Sequence, residues 1–142
     1  MALIHIASVT ASSSATLSFT SGIDSTYNEY QFHFENMHPA TDQVFFQFQV
    51  NASDDTGGGF DTSVITSSAF LAYHFEGDAS GLSYSGTQDL AQSASHQRLT
   101  QEVGNNADQS ASGILTLYAP SSTTYVKHFV ARFADSGYND YV

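Results

Sequence analysis

Cysteine is absent from the 142 residues, and with it any disulfide framework and any thiolate chemistry. Tryptophan, the usual sugar-stacking side chain, is absent too. Positive charge is nearly missing: 3 Lys and Arg face 14 Asp and Glu, for a net charge of −11. Such a surface has little with which to neutralise nucleic-acid phosphates, and anionic lipid repels it. Neither a nucleic-acid nor a membrane partner is expected. No apolar run approaches the length of a spanning helix, and residues 1–9 hold no basic stretch followed by a long apolar core, so no secretory signal is expected either. The builders of amphipathic helices, Leu, Lys, Glu and Arg, are scarce.

What is present favours strands. The aromatic share comes from 11 Phe and 8 Tyr, and small hydroxyl residues are abundant. The most ordered stretch is residues 27–50. There Tyr30, Phe32 and Phe34 alternate with Gln31, His33 and Glu35, the period of two of a half-buried strand. A turn cluster containing Pro39 follows, and then Val44, Phe46, Phe48 and Val50 alternate with Phe45, Gln47 and Gln49. The two runs are expected to pair as a central hairpin.

Residues 3–9 carry Leu3, Ile4, Ile6 and Val9 and read either as a first strand or as an extended arm that pairs with a neighbouring chain. These four side chains are the candidate partner-binding residues. Residues 15–20 alternate again, with Ala15, Leu17 and Phe19 on one side. Residues 51–61 include three consecutive Gly beside Asp54, Asp55 and Asp61 and read as a long exposed loop. Residues 67–75 return to strand character with Leu71, Tyr73 and Phe75 inward, and the Gly- and Ser-rich residues 77–86 read as loop. Residues 88–103 are the one place where a helix is plausible, and an extended segment fits equally well. Residues 113–119 form a strand stopped by Pro120, and residues 123–133 form the last strong strand, with Val126 and Val130 opposite Tyr125, Phe129 and Phe133 and burial on both sides expected. The pattern predicts an all-β fold: one domain over 1–142, an antiparallel β-sandwich of jelly-roll or immunoglobulin-like type, with 1–9 as edge strand or arm.

Chemistry-bearing patterns are sparse. His33, His74 and His128 each sit in a strand-like run and suit zinc only where those strands are neighbours. None of the six His stands in a ligand spacing such as H-E-x-x-H, so surface histidines are the plainer reading. The Asp54, Asp55 and Asp61 loop offers oxygen ligands of the kind calcium takes, yet in no known loop pattern, and a solvated acidic loop explains it as well. There is no paired-carboxylate setting for hydrolysis and no G-x-S-x-G elbow. No metal, cofactor or catalytic residue is therefore expected, and the chain is not expected to be an enzyme.

Several segments, in order along most of the chain, carry a resemblance: TASSS at 10–14, LSFTSGIDSTY at 17–27, NMHPATD at 36–42, NADQSASG at 106–113 and PSSTTYVKHF at 120–129. They resemble a group of uncharacterised virion proteins of marine and other aquatic tailed bacteriophages, whose members continue through further strands beyond the point where this chain ends. The resemblance implies a structural role. The expectation is a capsid decoration or cement protein, made in a bacterial host cytoplasm and carried on the capsid surface, its partners the major capsid protein and its own copies as a homotrimer. The alternative is a tail- or fibre-associated module that binds host glycans. On the first reading, residues 2–9 or a sheet edge supply β-augmentation to a neighbour.

Overall fold

A computed structural model describes residues 3–51 and 63–137. Seven strands are present among them: β1 (Glu29–Met37), β2 (Gln47–Phe48), β3 (Phe70–His74), β4 (Ser80–Tyr84), β5 (Gln97–Arg98), β6 (Ala111–Tyr118) and β7 (His128–Asp135). They form a three-stranded sheet in the order β1-β6-β7 and two two-stranded sheets, β2-β5 and β3-β4. Pairing is antiparallel and no helix occurs among the described residues, so the fold is all-β and of the sandwich type that the alternating pattern predicts.

The chain divides into two compact units, Met1–His33 with Ile114–Ala131, and Phe34–Gly113 with Arg132–Val142; β1, β6 and β7 each contribute residues to both. In the first unit Tyr30 is buried and anchors the loop before β1. Its hydroxyl accepts from the Asp24 N–H at 3.1 Å and lies 3.0 Å from both the carbonyl oxygen and Oδ1 of Asp24, between which its one proton is shared. Thr26 N–H donates to the same Oδ1 at 2.8 Å, an Asx-type turn that ties the loop down. Phe19 meets Phe32 edge-on with ring centres 5.3 Å apart.

The second unit combines an aromatic cluster with a polar interior. The rings of Phe34, Phe46 and Phe133 lie 5.0 to 5.9 Å apart, the spacing at which aromatic pairs add to plain burial. Beside this cluster, Gln88, Gln97, Thr100 and Gln109 are all buried. Each is satisfied. Gln97 Nε2 donates to the carbonyls of Gln88 and Arg98, both at 2.8 Å, and its Oε1 accepts from Ser67 at 2.6 Å. Gln88 Nε2 donates to the Thr100 carbonyl at 2.8 Å, and Thr100 Oγ1 accepts from Phe46 N–H at 3.0 Å. Gln109 receives Asn106 N–H and donates to the Gly137 carbonyl, both at 3.0 Å.

The alternation read from the sequence locates the faces of β1 and β3. The pairing partners differ from expectation at several points. The run at 44–50 does not form a hairpin with β1: β1 lies beside β6, whereas β2 pairs with β5 in the register Gln47↔Arg98 and Phe48↔Gln97. The two runs meet through Phe34 and Phe46, side chain to side chain, because the turn cluster at 36–42 carries the chain away from the β1 ladder. Residues 77–86, expected as loop, contain β4. The turn at 76–78 closes with Phe75 N–H on the Ala79 carbonyl and a left-handed Asp78, the geometry of a three-residue hairpin loop. Gly81 faces Tyr73, whose ring lies where a Cβ would stand, so glycine marks close packing there rather than a break. Residues 88–103 are extended, with β5 and bridges at Ser93 and Val103. The alternating run at 15–20 forms no strand, although Leu17 and Phe19 are half-buried. Finally, β7 starts at His128 and is covered on one face only: Val126 and Val130 stay exposed.

Candidate functional site

Residues 3–9 form no strand, and no backbone–backbone hydrogen bond joins them to another described residue. Alternating apolar character without a ladder leaves the side chains out: Leu3 is 74% exposed, Ile4 63%, Ile6 49% and Val9 44%. Burying such side chains is worth roughly 1.5 to 3 kcal/mol each, so four left open make a surface with much to gain from a partner. Ile6 is the one with a close neighbour, its Cγ2 lying 2.8 Å from the point where Gly22 would carry a Cβ. Gly22 has φ +85°, a backbone conformation that favours glycine, so both the room and the turn depend on that residue. The four partner-binding candidates thus stand together on one exposed, extended segment. Unanticipated from the sequence is a second open apolar face on the β3–β4 hairpin, where Phe70, Leu82 and Tyr84 point outward and Phe70 meets Tyr84 edge-on at 5.6 Å. Leu82 and Tyr84 escaped notice because they lie in the Gly- and Ser-rich stretch.

The histidines are not brought together. His33 lies on β1, His128 on β7 and His74 on the separate β3–β4 sheet, all three exposed. Among the described residues no three His, Asp or Glu side chains are grouped closely enough to hold a metal ion. His74 Nε2 sits 3.4 Å from Asp78 across the hairpin turn, and His38 Nδ1 bonds the Gln109 carbonyl at 2.7 Å, a structural tie. The Asp54, Asp55 and Asp61 loop lies outside the described residues.

Two carboxyl groups are shifted in opposite directions. Hydrogen bonds from Thr26 and then Tyr30 hold Asp24 below the usual carboxylate range. Burial pushes Asp135 up, even though its Oδ2 accepts from Gln101 N–H at 2.8 Å. Asp24 is thus held by the Thr26 and Tyr30 groups of its own turn, and Asp135 by the Gln101 backbone, so local hydrogen bonding and burial account for both shifts. The Tyr84 hydroxyl donates to Asp89, which raises the phenol above its ordinary value.

Comparison with family models, with curated proteins and with solved structures returned no match.

Proposed function

We propose that this chain is a virion structural protein of a tailed bacteriophage, a capsid decoration protein that bridges and stabilises subunits of the major capsid protein. The observation that carries the reading is the segment at 3–9: outside any strand, with no backbone hydrogen bond to another described residue and with four apolar side chains open. A segment in that state is ready to add a strand to a neighbouring sheet edge, where main-chain bonds give affinity and alternate side chains fill pockets. The weakly charged surface and the open face of Phe70, Leu82 and Tyr84 support the same reading, because shell attachment works through many modest contacts multiplied by avidity. A homotrimer at a symmetry junction of the shell, and a sandwich of jelly-roll or immunoglobulin-like connectivity, belong to this proposal.

The test is the copy number of this chain in purified virions relative to the major capsid protein, by quantitative mass spectrometry. Decoration predicts comparable copy numbers, and deletion of residues 2–9 then empties the sites. A few copies per hundred capsid subunits would put the chain on the tail instead, and full occupancy after the deletion would dispose of the arm.

A further inference from the structure

One face of the β2–β5 ladder presents polar side chains that make no hydrogen bond with the other described residues. In an antiparallel pair, residues directly opposite and residues two apart share a face. Gln47 stands opposite Arg98, so Phe45, Gln47, His96 and Arg98 lie on one side, while Phe46, Phe48 and Gln97 turn to the other. The Arg98 guanidinium lies 3.8 Å from the centre of the Phe45 ring. Stacking of this kind holds the guanidinium flat and leaves its in-plane N–H groups for a ligand. Together with Thr87, Gln88, Leu90 and Ser95, these groups line a cavity of about 390 Å³, at the lower end of small-ligand sites.

The contrast with the neighbouring buried polar groups decides the reading. Gln97, Gln88 and Thr100 are bonded to one another or to backbone. By contrast, the side chains of Gln47, Ser95, His96 and Arg98 make no hydrogen bond with any described residue. Arg98 is one of 3 cationic side chains in a chain with 14 acidic ones, and among the described residues no carboxylate pairs with it. Asp89, next along from Gln88, is engaged by the Tyr84 hydroxyl.

We propose that this cavity binds a carboxylate-bearing sugar, a uronic-acid unit of an acidic polysaccharide. Arg98 takes the carboxylate through two parallel N–H···O bonds. Gln47, Ser95, Thr87 and His96 supply the mixed donors and acceptors that ring hydroxyls need, and Leu90 faces the apolar side of the ring. One guanidinium among neutral amides matches a single charge. A phosphate ester, with nearly twice that charge, calls for more cations than the cavity holds. The net charge of −11 does not forbid an anion, because at 0.15 M salt fields beyond about 8 Å are screened and the adjacent guanidinium dominates. The inference does not rest on the virion reading and is tested on the purified chain.

The probe is trigalacturonate, titrated into the full ¹⁵N-labelled chain and followed by NMR, with maltotriose and acetate as controls. The expected result is saturable shifts centred on Gln47, Ser95, His96 and Arg98 with a Kd of about 1 mM, and weak or no response to either control. Arg98→Gln weakens binding at least about tenfold. Because that change also removes the Phe45 stack, the double variant Gln47→Ala/Ser95→Ala provides a second reading, with about a threefold loss and an otherwise unaltered spectrum. Equal binding of maltotriose or acetate, shifts centred elsewhere, no saturable shift up to roughly 50 mM, or an unchanged Kd in the double variant overturns the proposal.

Discussion

The two compact units differ in what fills their interiors, although both leave apolar side chains open, Leu3 and Ile4 in one and Phe70 and Leu82 in the other. In the unit made of Phe34–Gly113 and Arg132–Val142, side-chain amides are buried and every one is bonded, while Phe34, Phe46 and Phe133 pack around a common centre. In the unit made of Met1–His33 and Ile114–Ala131, Tyr30 and Leu115 are buried, but Leu3, Ile4, Tyr125 and Val126 stay open. A buried amide costs free energy unless all its bonds are made, and once they are made it fixes which backbone segments lie together. Gln97 does this for three segments at once, through Ser67, Gln88 and Arg98. Open apolar residues constrain nothing within the chain. They leave free energy to be gained from a partner instead. The unit of Phe34–Gly113 and Arg132–Val142 has that bonded polar interior, yet it too leaves an apolar face open at Phe70, Leu82 and Tyr84.

The contrast breaks first at Gln97. Gln97→Leu strands the Ser67 hydroxyl and two carbonyls, and at about 1 to 3 kcal/mol for each group left unpaired the expected loss is about 3 kcal/mol or more in urea unfolding. A loss below about 1 kcal/mol would mean that water replaces the amide and the network does not hold that unit together. Next is Tyr30→Phe, which keeps the ring and removes the hydroxyl that meets Asp24; the expected loss is about 1.5 kcal/mol, read the same way.

Titration sharpens the comparison because the two shifted carboxyls lie in different units. The folded pKa of Asp24 is lowered, so its favourable contribution is present above the unfolded value and is lost as pH falls through the folded one. Asp135 is raised, so its contribution is present below the unfolded pKa and is lost as pH rises through the folded value. Asp24→Asn therefore lowers the urea midpoint at neutral pH and converges on wild type as pH falls through the lowered folded pKa, whereas Asp135→Asn gains on wild type as pH rises from the unfolded carboxyl pKa through the raised folded one. Parallel trends in the two variants would contradict the assignment.

The smallest effect is expected at the open segment. Leu3→Ser with Ile4→Ser should change the stability of the isolated chain by less than about 0.5 kcal/mol, since neither side chain is buried there. On the proposed decoration role, the same double variant also loses attachment to the capsid. A stability loss of 2 kcal/mol or more would show that residues 3–9 pack within their own molecule.

Much of the local structure was legible because strand alternation is a property of neighbours in sequence. Tyr30, Phe32 and Phe34 announce the inward face of β1, Leu71 and Tyr73 that of β3, and Pro120 marks the end of β6. Illegible were β4, whose Gly81 accommodates the Tyr73 ring, and the one-sided cover of β7, expected to be buried on both faces, since nothing local reveals which face finds cover. The candidate arm was readable from four apolar residues in seven. The cavity at Arg98 was not, because Gln47 and Arg98 are 51 positions apart and meet only through register.

By itself the sequence determined the absence of cysteine chemistry, the scarcity of cations, the all-β class and the inward faces of the long strands, all of which follow from residue type and a period of two. Tertiary structure alone decided that β1 lies beside β6 rather than beside the run that follows it, and that Gln88, Gln97, Thr100, Gln109 and Thr116 are buried. It also left the side chains of Gln47, His96 and Arg98 together without hydrogen bonds to any described residue. The reason is physical: backbone hydrogen bonds pair any strand with any other, so partner choice is settled by which side chains can all be satisfied at once, and that sum runs over the whole fold.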